Sequence, residues 1–230
     1  MTQKAREYYK DNPQFYVAVD CIIFAFENDE LQVLLQQRNF EPFRGEKTLL
    51  GGFLQAGESL EEAVQRVLRI HTGLTNIYME QVGTFSALDR DPGARVISTA
   101  YYALINKNLY DSTLLKEYNG EWVSTNHLPS IHFDHTKMIE QAREQLRRKI
   151  SFSPVGFNLL PPSFTLAQLQ RLYEVILGQE IDKRNFRKRV SEMQFIEKTG
   201  MIDKVSSRRG ASLFHFNMEK YNITHEFKLK

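Results

Sequence analysis

A short segment that follows a pair of glycines carries the side chains best suited to metal or phosphate chemistry. Segment 52–74 reads GFLQAGESLEEAVQRVLRIHTGL and contains three glutamates, Glu58, Glu61 and Glu62. Carboxylate oxygens are the ligands that Mg²⁺ prefers, so this segment is where a cation that assists phosphoryl chemistry would be expected. Glu62, however, lies three residues after Ser59, which is the spacing of a helix capping box. Its carboxylate is therefore expected to bind the helix N-terminus.

The segment resembles the Nudix box, G-x5-E-x7-R-E-U-x-E-E-x-G-U, in which U is a bulky aliphatic residue. Six of the nine specified positions match, and they are Gly52, Glu58, Arg66, Leu68, Gly73 and Leu74. The resemblance implies an α/β/α sandwich around a mixed sheet over residues 12–150. In hydrolases of this family, glutamates of the helix hold divalent cations against a substrate diphosphate. At those positions this chain has Val67, Ile70 and His71.

The three mismatches predict a domain that is not an enzyme, because none of them supplies a carboxylate for a hard cation. We interpret the two retained charges, Glu58 and Arg66, as a salt bridge that joins the glycine loop to the helix, in preference to a residual catalytic role. Glu61 lies on another face of the helix. No catalytic residue, metal ligand or cofactor is predicted. An active hydrolase with an atypical metal site remains an alternative.

A second stretch, 84–104, reads TFSALDRDPGARVISTAYYAL. It resembles the F-x-x-x-D-R-D-P-x-x-R-V-I-S sequence of Nudix-type regulators and ADP-ribose pyrophosphatases. Two interpretations are open. Asp89 and Arg95 contact a ligand, or the turn only connects two strands and Arg95 pairs with Asp89 or Asp91.

A ligand pocket is predicted over the glycine loop and the ends of the first strands. Asp20 interrupts an apolar strand, and a buried charge is costly unless it is paired. It is therefore either bonded to an arginine or available to sugar hydroxyls. Loss of the cation-binding glutamates disfavours a diphosphate, so a neutral pentose is preferred to ADP-ribose, which stays the alternative. The candidate ligand-binding residues are Tyr16, Asp20, Arg38, Arg44, Glu46, Gly52, Phe53, Asp89 and Arg95.

The first half alternates strand and helix signals, as a mixed α/β domain requires. Strands are predicted over 15–26, 31–37, 47–54, 77–85, 95–105 and 121–123. A helix begins at the Ser59 capping box and ends at Gly73, and a second helix, 134–150, is predicted to be capped by Asp134. His132 and His135 could suggest a metal, but without a third ligand nearby they are expected at the start of this helix, one packed and one exposed.

The second half has a different pattern. Segment 151–163 contains three prolines and is predicted to be a linker between the sandwich and a domain over 164–230. Two capped helices, beginning at Thr165 and Asp182, are followed by β-like runs at 195–199 and 212–216. This order is that of a winged helix-turn-helix, whose second helix enters the major groove of DNA.

The second of these helices is predicted to bury Phe186, Val190 and Met193 and to present cations on its other side. The predicted DNA-binding residues on it are Lys183, Arg184, Asn185, Arg187, Lys188 and Ser191. Arg208 and Arg209 in the hairpin turn suit phosphate or minor-groove contact. Lys4 and Arg6 of a basic arm, residues 1–11, are further candidates, although a disordered tail explains that arm equally well.

Segment 159–190, LLPPSFTLAQLQRLYEVILGQEIDKRNFRKRV, resembles the winged-helix domain of the Nudix-related (NrtR-like) transcriptional regulators, and most of all their arabinose-responsive, AraR-type branch. The resemblance implies a homodimer on a pseudo-palindromic DNA operator that represses sugar-utilisation genes. It also implies that L-arabinose in the pocket weakens operator binding. An ADP-ribose-sensing regulator, and an RNA- or protein-binding module that uses the same basic helix, are the alternatives.

Composition is consistent with this assignment. Residues 1–150 carry 17 Lys and Arg against 20 Asp and Glu, whereas residues 151–230 carry 13 against 8, so the net charge changes from −3 to +5. Such a change of sign suggests two domains, the basic one with nucleic acid as its partner. A single cysteine, Cys21, excludes a disulfide framework and fits a reducing compartment. With no signal-peptide pattern or apolar run long enough to span a membrane, a soluble cytoplasmic protein is expected.

Overall fold

The structure is a computed structural model that describes residues 9–109, 118–205, 210–224 and 227 of the 230-residue chain. Its first half contains a seven-stranded mixed sheet between two helices. The strands are β1 (Tyr16–Glu27), β2 (Glu30–Gln37), β3 (Lys47–Thr48), β4 (Leu50–Phe53), β5 (Glu80–Phe85), β6 (Val96–Leu104) and β7 (Gly120–Ser124).

The long strand β1 is the centre of this sheet. It pairs with β6 in parallel from Tyr16 opposite Val96 to Phe24 opposite Leu104, and with β2 and β4 in antiparallel orientation. The sheet order is β3-β2-β1-β6-β5, with β4 paired to β1 and β7 paired to β2. A strand that is covered on both faces has a nearly continuous apolar sequence, and seven consecutive residues of β1, 19–25, are buried, with Asp20 as the one charged residue among them. Cys21 lies among them as a buried free thiol.

Helix α1 (Leu60–Thr72) covers one face of the sheet. Its start is the predicted capping box, in which the Ser59 N–H donates to Glu62 Oε2 (2.7 Å) and the Glu62 N–H donates to Ser59 Oγ (3.2 Å). The helix ends at Gly73, which has the left-handed φ of 72° that glycine adopts readily. Its apolar stripe packs on the apolar side chains that β1 directs to that face.

Helix α2 (His135–Lys149) covers the opposite face. Asp134 occupies the predicted N-cap position, but its side chain makes no bond to the helix N-terminus and so does not cap it as predicted. Its carboxylate instead accepts two hydrogen bonds from Arg90, at 2.8 and 3.1 Å. A long-range ion pair thus replaces the local cap that the sequence suggested.

The proline-containing segment after α2 packs against the body of the protein. Residues Pro154–Leu159 form a short 3-10 helix, and Gly156 and Leu159 within it are buried. A methyl group at Gly156 would come within 2.9 Å of Ile150 Cδ1, so the segment lies close against the end of α2.

The second half is a winged helix, as predicted. It consists of β8 (Phe164–Thr165), α3 (Leu166–Leu177), α4 (Lys183–Glu192), β9 (Ile196–Asp203), β10 (Ala211–Phe216) and α5 (Met218–Thr224). The three strands form an antiparallel sheet in the order β8-β10-β9. Both predicted caps are present, since Thr165 forms a capping box with Gln168 and Asp182 Oδ1 accepts from the Asn185 N–H at 2.8 Å. The sequence did not predict β8 or α5.

One apolar core runs through both halves. It includes Phe24 and Leu146 of the sandwich and continues through Leu172 and Tyr173 of α3 to Phe186 of α4. The winged helix is therefore packed on the sandwich, and the two share one apolar core. Within the residues described, no helix has both the length and the apolar character that crossing a membrane requires.

Candidate ligand pocket and DNA-binding surface

A cleft opens where β1, β2 and β4 meet the starts of α2 and of the turn after β5. The cleft has a volume of about 150 Å³. Asp20 and Arg90 lie at its floor, Gly51 and Gly52 of β4 form one wall, and Arg38 and Phe40 stand at its rim, with further contributions from Ala18, Gln36, Asn39, Thr48, Leu49, Phe53, His71, Asp91, Val96, Phe133 and His135.

Asp20 is the central carboxylate of the floor and is only 6% exposed. It accepts a hydrogen bond from Ser98 Oγ (2.6 Å), and its oxygens lie 3.6 Å from Arg90 and 3.5 Å from His135 Nε2. Burial by itself raises the pKa of Asp20, but His135, Ser98 and Arg90 outweigh burial and hold the pKa below its usual value. The carboxylate is thus ionised. It is paired with an arginine, which is the first of the two alternatives, and it also lines the cleft, so the pairing does not remove it from the pocket.

Arg90 was not predicted as a site residue, yet it organises the floor. Arg90 is 7% exposed, and its guanidinium lies between the carboxylates of Asp20 and Asp134. A buried cation with two carboxylate partners and charge-assisted hydrogen bonds satisfies the usual condition for burying a charge. The sequence signal for Arg90 is its place in the Asp-Arg-Asp-Pro turn. From that stretch, Asp89 and Arg95 are the predicted candidate ligand contacts, and Arg90 is not among them.

The ring of His135 has a defined tautomer. The Leu49 N–H lies 3.3 Å from Nδ1, and Thr48 Oγ1 lies 3.1 Å from the same atom. Because a backbone N–H can only donate, Nδ1 accepts and the ring proton belongs on Nε2, facing Asp20. His135 is the buried first residue of α2, as predicted, whereas His132 is half-buried and stacked on Phe43 at 3.7 Å.

The structure brings together some of the predicted ligand-binding residues and not others. Asp20, Arg38, Gly52 and Phe53 line the cleft. The others lie outside it. Arg44, Glu46 and Asp89 are exposed, Tyr16 packs on Phe53 at 5.5 Å beside the entrance, and Arg95 is half-buried behind the turn.

The predicted pairing of Arg95 with Asp89 or Asp91 is wrong. Arg95 Nη1 donates to the carbonyls of Ser86 and Ala87, at 2.8 and 2.9 Å. Asp91 accepts from the Gly93 N–H within its own turn, at 2.8 Å. Both side chains fix the turn, and the turn in this way brings Arg90 to the floor of the cleft.

The positions where Nudix hydrolases carry cation-binding glutamates do not form an oxygen-ligand set. Val67 is 1% exposed and faces Gly52, whose added methyl would lie 2.8 Å from Val67 Cγ2. Ile70 is half exposed to solvent. His71 Nδ1 lies 2.8 Å from Gln36 Oε1, and burial lowers the pKa of His71, so the ring is neutral.

The two retained charged residues, Glu58 and Arg66, bind each other. Arg66 binds both oxygens of Glu58, at 2.6 and 2.8 Å, and also the Phe53 carbonyl at 2.9 Å. The predicted salt bridge is therefore present. Across the described residues, no group of three or more His, Cys, Asp or Glu side chains is arranged to hold a metal ion. The donors that are present do not fit the Mg²⁺ that Nudix chemistry would require.

The outer face of α4 is a cationic surface. Phe186, Val190 and Met193 are buried, as predicted. The remaining candidates are all exposed, and they are Lys183, Arg184, Asn185, Arg187, Lys188 and Ser191. Over the part of the chain described, no carboxylate forms a salt bridge with Arg184, Arg187 or Lys188. Lys4, Arg6, Arg208 and Arg209 lie outside the described residues.

Two protein families match this chain in sequence order. The NUDIX domain family matches residues 14–144, and the family described as the NrtR DNA-binding winged helix domain matches residues 156–216. The first covers the sandwich and the second covers most of the winged helix.

Two characterised proteins are similar in sequence. The "ADPR responsive transcriptional repressor NtrR" of Acinetobacter baylyi is 34% identical over 217 residues, which is 93% of this chain and 86% of that protein. The "ADP-ribose pyrophosphatase" of Methanocaldococcus jannaschii is 39% identical over 125 residues, which is 54% of this chain and 70% of that enzyme. The first similarity spans both domains.

Two solved structures extend the comparison. Shewanella oneidensis NrtR complexed with a 27mer DNA has a TM-score of 0.79 and 32% identity, and the match covers 92% of this chain and 97% of that one. The NUDIX domain of the same protein complexed with ADP ribose has a TM-score of 0.52 and 31% identity, over 64% of this chain and 99% of that one. The chain therefore belongs to the NrtR family of transcriptional regulators, in which a Nudix domain precedes a winged-helix DNA-binding domain.

Proposed function

We propose that this chain is a transcriptional repressor whose Nudix-type cleft binds ADP-ribose, and that the bound ligand weakens operator binding by the winged helix. The observation that carries the proposal is the similarity over 93% of the chain to an ADPR responsive repressor. The likeness of the sandwich to a Nudix domain that was crystallised with ADP ribose supports the same ligand.

The chemistry of the cleft suits part of ADP-ribose. Ionised Asp20 is a strong acceptor for vicinal hydroxyls, and Arg38 at the rim supplies a cation for a phosphate. The cleft volume of about 150 Å³ is below the roughly 300–1,000 Å³ of sites for drug-sized ligands. We infer that one ribose enters the cleft and that the remainder of the ligand lies along its rim, near Phe40 and Phe53.

The L-arabinose expectation is replaced by this proposal. ADP-ribose is named for both a relative that matches 93% of this chain and a related Nudix-domain structure, and L-arabinose is named for neither of the two. A free pentose and the ribose of ADP-ribose present the same hydroxyl chemistry to Asp20. The side chains of the cleft therefore do not distinguish a pentose from ADP-ribose. The preference for a pentose rested on the missing cation-binding glutamates, which disfavour a diphosphate only if the diphosphate must bind with a cation.

The proposed DNA contact places α4 in the major groove of a pseudo-palindromic operator that is bound by a homodimer. Arg184 and Arg187 are exposed on the face opposite buried Phe186 and can each bind a guanine edge through two hydrogen bonds. Lys188 on the same surface would bind phosphate. Arg208 and Arg209, which lie outside the described residues, remain candidates for contact with DNA phosphates or the minor groove.

Hydrolysis of ADP-ribose is the second candidate, favoured by the 39% identity to an ADP-ribose pyrophosphatase. Against it stand the apolar Val67 and Ile70 at cation-ligand positions. Incubation of the purified chain with ADP-ribose and Mg²⁺ or Mn²⁺, followed by chromatography for AMP, separates the two functions. We expect no turnover. Turnover that is lost in Glu58→Gln would establish the enzyme.

The direct test begins with duplexes selected by the protein from a randomised pool. Fluorescence anisotropy then gives the Kd for the selected duplex alone, with ADP-ribose and with L-arabinose. We expect ADP-ribose to raise the Kd at least about tenfold, within the usual range of allosteric coupling, and L-arabinose to leave it unchanged. Failure to bind any duplex under all three conditions would refute the proposal.

A further inference from the structure

Helix α2 begins in the floor of the cleft. Asp134, directly before it, binds Arg90 through two hydrogen bonds, and His135, its first residue, faces Asp20 and contacts Thr48. These groups are buried or nearly so. A ligand that bonds Asp20 or Arg90 therefore acts on the same side chains that fix the start of α2.

The other end of α2 is bound to the helix-turn-helix. Arg147 Nε donates to the carbonyl of Ile176, in the last turn of α3, at 3.1 Å. The last carbonyls of a helix lack intrahelical partners, and a cation there is favoured by the helix dipole. Glu144 Oε1 accepts from Arg147 Nη1 at 2.6 Å and so orients the guanidinium.

The end of α3 is in turn bound to the DNA-binding helix. Glu174 accepts from the Ile181 N–H at 3.2 Å, and Gln170 donates to the Ile181 carbonyl at 2.9 Å. The next residue, Asp182, is the N-cap of α4. A shift of the last turn of α3 therefore moves the N-terminus of the helix that presents Arg184.

Between its ends α2 is a rigid element. Its 15 residues span about 22 Å at 1.5 Å per residue. Its buried face, which includes Met138 and Leu146, belongs to the same apolar core as Leu172 and Phe186. Close-packed interiors transmit displacement because they contain little free volume.

We propose that Arg147 is the residue through which occupancy of the cleft changes the position of the helix-turn-helix, with α2 as the connecting element. This inference rests on the proposed function, since it assigns a route to the response of DNA binding to ADP-ribose. Arg147 lies in α2, outside the lining of the cleft and outside α4, so we expect its removal to act on the coupling between the two sites and to leave each site intact.

The test compares Arg147→Met with Arg148→Met. Both substitutions remove one arginine from the last turn of α2, but Arg148 is exposed and forms no hydrogen bond or salt bridge with α3 among the residues described. For each protein the Kd for a selected duplex is measured by anisotropy with and without saturating ADP-ribose, and the Kd for ADP-ribose is measured by calorimetry. The ratio of the two duplex Kd values is the readout.

We expect the wild-type chain and Arg148→Met to show the same ratio, about tenfold or more. In Arg147→Met the ratio should fall below about twofold while ADP-ribose still binds. Arg147→Lys, which keeps the charge but cannot reproduce the guanidinium geometry, should give an intermediate ratio. An undiminished ratio in both Arg147 variants would overturn the inference. A wild-type ratio of one would instead overturn the proposed function on which it rests.

Discussion

The floor of the cleft and the outer face of α4 both depend on arginine, and they use it in opposite ways. Arg90 is buried between two carboxylates, and its charge is neutralised by ion pairs within the protein. Arg184 and Arg187 are exposed and form no salt bridge with the described carboxylates, so their charge remains available. The buried arginine fixes the shape of the cleft, and the exposed arginines can bind the phosphates and bases of DNA.

The contrast predicts that mutations in the two regions fail differently. Removing one partner of a buried ion pair leaves an uncompensated charge and lowers stability. Removing an exposed cation leaves the fold intact and lowers only the affinity for a partner. The predictions below test this division, from the largest expected effect to the smallest.

Arg90→Met should lower the free energy of unfolding by about 3–5 kcal/mol, because Asp20 and Asp134 lose their shared cation in a buried position. Urea denaturation measures the loss. Arg184→Met is the matched control and should change stability by less than about 0.5 kcal/mol, as is usual for exposed sites. Equal losses of unfolding free energy in the two variants would contradict the distinction between the cleft floor and the outer face of α4.

Arg184→Ala and Arg187→Ala should each weaken binding to a selected duplex by about 1–3 kcal/mol, the usual worth of a bidentate contact to a base. Discrimination between duplexes should also decline, whereas Lys188→Ala should weaken binding to all duplexes alike. Anisotropy titrations measure both effects. Arg69→Ala, an exposed arginine of α1, is the control and should bind as the wild type does. Unchanged affinity in both α4 variants would exclude this face from the DNA contact.

Gly51→Ala should damage the cleft, because its new methyl would lie 2.5 Å from Asp20 Oδ1. Overpacking of this kind costs about 1–3 kcal/mol, and displacement of Asp20 should also lower the affinity for ADP-ribose measured by calorimetry. In the control Gly83→Ala, the methyl meets only the end of the Gln141 side chain at 3.1 Å. If Gly51→Ala binds ADP-ribose as tightly as the control, Asp20 does not hold the ligand.

The smallest effect concerns pH. Burial lowers the pKa of His71 in the native state below its usual value of about 6.5. Below that pH the unfolded chain takes up a proton at His71 more readily than the native state, so stability falls as the pH falls through the native pKa. His71→Gln should reduce this dependence, measured by urea denaturation between about pH 5 and pH 8. A stability difference between the two proteins that does not change with pH would contradict the assignment.

The features that the sequence predicted correctly are those governed by neighbours in the chain. Both capping boxes, beginning at Ser59 and Thr165, depend on residues three positions apart. The buried stripe of α4 follows from helical periodicity, and it determines which of its cations face outward. These rules need no knowledge of the tertiary fold.

The features that were missed depend on residues far apart in the chain. Arg90 pairs with Asp134, 44 positions later. The same contact engages the Asp134 carboxylate, which therefore does not bond to the helix N-terminus as predicted. Arg44 and Glu46 belong to the right loop, but the loop directs them to solvent. Local sequence identified the loops that surround the cleft, and only the packing of β1 against α2 determined which side chains enter it.

The central claim is that one chain binds ADP-ribose and operator DNA in a mutually antagonistic way. Calorimetric titration of ADP-ribose into the protein alone, and into the protein saturated with its selected duplex, tests this most directly. Because coupling is reciprocal, the duplex should raise the Kd for ADP-ribose by the same factor by which ADP-ribose raises the Kd for the duplex. An ADP-ribose affinity that is the same with and without DNA would contradict the account.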